Sequence, residues 1–262
     1  MGGKPEYKGE PGNFERFVVK LGSVGVMGLA ALRQTFRKFE AYESVYQVRQ
    51  LGILSLSVAL LTAVFAGLVM TIQFGHNMER FGATKYVGKV VSLAILRELG
   101  PVLTALMVGG RIGAGITAEL GSMKVTEQID AIRCLGADPI AKLVAPRVLA
   151  ALIIMPLLTG LADFIGIVGG GLISLVEFDI SLEFYYRTVV ESVQIGDFLS
   201  GLIKSVVFGG IIGLVACHEG FNTEGGTEGV GQATTRTVVI SSVCVLVADF
   251  ILTKFMMTFF QL

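Results

Sequence analysis

The chain has 262 residues, 53% of them hydrophobic and only 16% charged, and its 21 basic and 21 acidic side chains balance to a net charge of zero. Soluble domains carry roughly 25% charged residues, so a water-soluble core of this size would lack the polar surface to cover it. The charge balance excludes a nucleic-acid binder that works through bulk positive charge, and the composition points to an all-α integral membrane protein.

The first twelve residues, MGGKPEYKGEPG, form a polar tail. They lack the apolar stretch of a signal peptide, and Glu6 breaks the myristoylation pattern. A single domain is expected to occupy 13–262. Within 13–39 the apolar run 21–32 is only twelve residues long and is bounded by Lys20 and Arg33. A span needs about 20 apolar residues, so this segment reads as an interfacial or re-entrant helix, with a sixth short span as the alternative. Asn13 is its expected N-cap, and Phe14, Phe17, Val18 and Leu21 share one face.

Five spans follow, at 48–75, 88–112, 147–176, 197–217 and 235–260. The first contains 24 uninterrupted uncharged residues, 51–74. The later ones carry isolated charges: Arg97 and Glu98 in the second, Asp163 in the third, Lys204 in the fourth, Asp249 and Lys254 in the fifth. Small residues four apart, Gly109/Gly113, Gly166/Gly170 and Gly209/Gly213, suit close helix approach. Basic residues in the segments 1–50, 111–147 and 218–236 total fourteen, against four in 75–89 and 177–197. The positive-inside rule therefore places the N-terminus in the cytoplasm and, with five spans, the C-terminus on the outer side. The outer loop 177–197 is acidic, with Glu177, Asp179, Glu183, Glu191 and Asp197.

Between the second and third spans, 122–136 reads as a short amphipathic helix. Val125, Ile129 and Ile132 share a face, Glu127, Asp130 and Arg133 lie off it, and Gly136 and Pro139 end it. It is too polar to span. Two readings stay open: a helix lying on the lipid surface, or one docked into a groove of a cytoplasmic partner.

The segment ILRELGP, 95–101, puts two adjacent charges and a proline inside the second apolar run. A charge at the bilayer centre costs about 3 kcal/mol or more. Neighbouring side chains on a helix point about 100° apart, so Arg97 and Glu98 cannot satisfy each other. Pro101 removes the amide that would bond the Arg97 carbonyl, which predicts a kink or break there. Broken helices at depth line cavities or lie buried in protein. Either the pair faces a cavity, or it snorkels to the outer interface.

Catalytic and metal chemistry find no foothold. Cys134, Cys217 and Cys244 form no CxxC pair, and His76 and His218 form no HExxH. The stretch GATKYVGKV, 82–90, has one residue too many for a phosphate loop and Val90 where a Ser or Thr should bind magnesium. Any ATP hydrolysis belongs to another polypeptide. Glu98, Asp163 and Asp249 could serve a proton- or ion-coupled secondary transporter, and a non-transporting membrane scaffold is the third reading.

Several longer stretches resemble the MlaE (YrbE-type) permease family, the membrane subunits of MCE-associated ABC lipid transporters. They are RELGPVLTALMVGGRIGAG, AELGSMKVTEQIDA, GADPI and APR, then LIKSVVFG, ATTRTVVISS and ADFILT. The loop HEGFNTEGGTEGVGQ carries no comparable signature. The resemblance implies an N-terminal interfacial helix plus five transmembrane helices, working as a homodimer in the bacterial inner membrane. It implies phospholipid transport between inner and outer membranes, in the service of outer-membrane lipid asymmetry, through an outward-facing dimer cavity. The implied partners are a cytoplasmic ABC ATPase that holds ATP and magnesium, a periplasmic MCE-domain hexamer and a small STAS-domain protein. The chain itself would hold no cofactor or metal and do no catalysis. By motif, Arg97, Glu98 and Leu99 would line the lipid site with Met70 and Phe74, while Arg49, Lys204 and Arg236 match basic family positions. Glu127, Ile129, Asp130, Ile132 and Leu135 would couple to the ATPase.

Overall fold

The structure, a computed structural model, describes residues 22–23, 25–28 and 41–259. The expected tail at 1–12 and nearly all of the expected interfacial helix at 13–39 lie outside the described residues. The two short pieces that are described, 22–23 and 25–28, are helical.

The described chain is built of helices, with no strand among the described residues. Helix α1 (Ala41–Glu79) turns at Gly82 into α2 (Val87–Ala94), which runs through a π-helical turn (Ile95–Leu99) into α3 (Gly100–Val125). The short α4 (Gln128–Cys134) leads to a second π-helical turn (Ile140–Val144) and α5 (Ala145–Phe178). Helix α6 (Leu182–Ser192) precedes α7 (Ile195–Phe221) and α8 (Gly226–Phe259). Among the described residues, five stretches are long and apolar enough to cross a membrane: Glu43–Glu79, Thr84–Val125, Ile140–Phe178, Ile195–Phe221 and Gly226–Thr258. The first four expected spans each lie inside one of these. The fifth starts inside its stretch and reaches 260, just past the described residues. The helices outrun the apolar runs at most ends, because backbone hydrogen bonding continues along a helix past the point where its side chains turn polar.

Both π-turns come just before a proline. Ile95–Leu99 is followed by Gly100 and Pro101, and Ile140–Val144 by Ala145 and Pro146. A proline ring inside an α-helix collides with the carbonyl four residues back and donates no amide. A π-turn shifts the preceding pairing by one residue: the Gly100 amide donates to the Ile95 carbonyl, five residues back. The expected break is thus a widened turn in one continuous rod.

Small residues set the packing. A Cβ on Gly67 would collide with the Gly166 carbonyl, so α1 and α5 touch backbone to backbone. Gly109 and Gly113 of α3 receive Ile212 of α7, and Gly209 and Gly213 of α7 lie on Ala151 and Val148 of α5. Around these contacts Val108, Ile112, Ile116, Met155, Leu158, Phe208 and Ile212 form the core. Thr117 of α3 donates to the Ala216 carbonyl of α7 at 3.0 Å and lies 2.8 Å from the Thr237 hydroxyl of α8, which ties three helices together.

Gly67→Val should lower the thermal midpoint in detergent, since overpacking a tight contact costs about 1–3 kcal/mol. Gly115→Val, where a side chain would meet nothing within 4 Å, should leave it nearly unchanged. Equal midpoints for the two variants would contradict the α1–α5 contact.

Candidate functional site

Pro101 leaves the Arg97 carbonyl without its helical donor. Lys204 of α7 supplies one: its Nζ donates to that carbonyl at 3.0 Å. The same ammonium donates to Glu98 Oε2 at 2.7 Å and to Thr253 Oγ1 at 2.6 Å, and lies 3.1 Å from Asp249 Oδ1. Lys204 is 1% exposed, so a buried cation is held by oxygens of the π-turn on one side and of α8 on the other. One turn earlier on α7, Gly201 has no side chain because a Cβ there would collide with the Leu96 carbonyl. Gly201 and Lys204 together shape α7 to fit the π-turn.

Arg97 points the other way. Its Nε donates to Asp197 Oδ1 at 2.7 Å. Asp197 is 1% exposed and also accepts the Gln194 amide through Oδ2 at 2.8 Å, capping the N-terminus of α7. A carboxylate in a first helical turn is favoured by the helix dipole. Arg97 therefore reaches the end of α7, while Glu98 pairs with Lys204 seven residues, or roughly 10 Å of helix, further in.

Glu98, Thr253 and Asp249 close the network, with Thr253 donating to Glu98 at 3.2 Å. Arg97, Glu98, Ser200, Lys204 and Thr253 form the polar wall of a pocket whose apolar wall is Met256 and Met257. The Lys204 cation and the Asp197 carboxylate are buried, but 40% of the Glu98 side chain and 32% of that of Arg97 remain exposed.

The other residues singled out by the sequence lie elsewhere. Leu99 lines a small cavity between α1, α3 and α5. Phe74 packs against Val87, Val91 and Ile95, and Met70 is half-buried on α1. Arg236 pairs with Glu219 at 3.3 Å. It stands seventeen residues before Thr253 on α8, roughly 25 Å away. Arg49 is exposed near the start of α1. Asp163 of α5 is 1% exposed, lies against Gly100, and has no hydrogen-bond partner on either oxygen among the described residues. It is not joined to Glu98 and Asp249, which share Lys204.

At the candidate coupling helix, α3 runs on to Val125 and the chain breaks at Glu127, whose φ of 60° is left-handed. Helix α4 is therefore shorter than the expected 122–136. Ile129 is fully buried in the core and Ile132 packs against it, so the shared apolar face turns inward. Lys124 donates to Asp130 at 2.9 Å and, with Arg133, holds its carboxyl below the usual range. Glu127 is exposed and Leu135 is 85% exposed.

Sequence reasoning leaves Asp197 in an acidic loop and misses Thr253. The four-residue spacing of Asp249 and Thr253, which puts both on one face of α8, is the available signal.

A family model described as Permease MlaE matches residues 44–255. A probable ABC transporter permease protein of Synechocystis is 40% identical over 93% of this chain and 91% of its own length. A probable ABC transporter permease protein of Rickettsia felis is 40% identical over 91% of this chain and 93% of its own. The intermembrane phospholipid transport system permease protein MlaE of Haemophilus influenzae is 40% identical over 81% of this chain and 82% of its own.

Lys204→Met should destabilise the fold by about 3–5 kcal/mol, the cost of leaving buried charges unpaired, read as a lowered thermal midpoint. Pro101→Ala, in the same background, should recover part of that loss by restoring a donor for the Arg97 carbonyl. No recovery would mean that the carbonyl contact contributes little.

Proposed function

Since the chain belongs to the MlaE permease family, we propose that it is the membrane subunit of an ABC transporter that moves phospholipid between inner and outer membranes. The observation that carries this reading is the exposure of Glu98 on the side of the bundle. A charged group at membrane depth faces a watery cavity or another protein surface, not hydrocarbon. A second copy of the chain supplies that surface. Helix α8 is largely uncovered along its apolar stretch and exposes Leu246, Val247, Phe250 and Ile251 just before the pocket residue Thr253. The head group of a lipid meets Arg97 and Glu98, and its acyl chains meet Met256, Met257 and the apolar flank of α8.

The chain performs no covalent chemistry in this reading. It binds lipid, and the energy comes from a cytoplasmic ATPase carrying ATP and magnesium. The basic-residue asymmetry supports a cytoplasmic N-terminus and a periplasmic C-terminus. The pocket then opens toward the outer side, where an MCE-domain hexamer would receive or deliver lipid, and α4 faces the ATPase, to which a STAS-domain protein would attach. Buried Ile129 and half-buried Ile132 anchor α4, leaving Glu127 and Leu135 to meet the partner.

Two measurements test this. Glu98→Ala should reduce phospholipid retained after mild-detergent purification several-fold while the protein stays dimeric; unchanged lipid would remove Glu98 from the site. Leu135→Asp should release the co-purifying ATPase without moving the thermal midpoint; retained ATPase would place the docking surface away from α4.

A further inference from the structure

We infer that the pocket at the π-turn selects zwitterionic, amine-bearing phospholipids over anionic ones. This rests on the lipid-binding reading above and goes on to name the head-group class. The network contains two cations, Arg97 and Lys204, and three carboxylates, Glu98, Asp197 and Asp249. Its surplus charge is negative, and protonating one carboxylate would make it neutral rather than cationic.

The placement of the charges matters as much as their sum. Lys204 has three protons and four oxygen neighbours, and it is buried, so it has no donor to offer a phosphate. Arg97 commits both its Nε and its Nη2 to the buried Asp197, which leaves the Nη1 edge outside that pair. The most exposed charge at the pocket is the Glu98 carboxylate. A head group that carries both a phosphate and an ammonium can set the phosphate on the free edge of Arg97 and the ammonium on Glu98. An anionic head group brings its negative charge beside Glu98 with no ammonium to neutralise it, in surroundings where charges are weakly screened.

The test uses the full-length protein reconstituted in vesicles of equimolar phosphatidylethanolamine and phosphatidylglycerol, re-extracted in mild detergent, with retained lipid quantified by mass spectrometry. Phosphatidylethanolamine should be enriched about tenfold over its vesicle ratio, the scale of one favourable charge contact. Glu98→Gln should abolish that enrichment, and Glu98→Asp, which keeps the charge, should preserve it. Retained lipid at the vesicle ratio, or enriched in phosphatidylglycerol, would overturn the inference while leaving the lipid site standing. No retained lipid in the wild-type protein would overturn the lipid-binding reading itself.

Discussion

One missing hydrogen-bond donor organises this site. Pro101 has no amide, so the carbonyl of Arg97 must find a partner outside its own helix. Lys204 reaches it from α7, and in doing so brings a cation into the bundle that is itself unstable there without acids. Glu98 from the π-turn and Asp249 from α8 provide them. Gly201 lets α7 come close enough for the lysine to arrive. A proline, a glycine and a lysine thus fix three helices against one another, and the carboxylate that completes the set faces outward.

This gives the ion network two roles. Its buried part, Lys204 with the Arg97 carbonyl and, toward the start of α7, Asp197, is structural. Its exposed part, Glu98 and the free edge of Arg97, is what a ligand can meet. Many substitutions here would change both, which is why stability and binding have to be measured side by side.

Much of this was legible in the sequence. Five long apolar runs identify five spans, because helices alone satisfy their backbone within a single segment in hydrocarbon. ILRELGP shows where a helix is disturbed, because the geometry of proline is local. The form of the disturbance was not legible: whether the chain kinks, breaks or widens into a π-turn depends on Gly201 and Lys204, far along the chain. The partners of Arg97 and Glu98 were hidden for the same reason. For 122–136 the pattern reveals an apolar face but not its direction, and the structure turns Ile129 toward its own core. Arg49 and Arg236 match family motifs by position, yet motif position says nothing of distance along the bundle.

In the proposed reading a lipid occupies the pocket beside Glu98. The most direct measurement places a photo-crosslinking residue at Met257, in the pocket, and separately at Val243, exposed on the same helix. After exposure to labelled phospholipid and detergent purification, irradiation should label the protein carrying the probe at 257 and leave the one carrying it at 243 nearly unlabelled, because only a bound lipid survives extraction. Equal labelling at the two positions, or none at 257, would contradict the account.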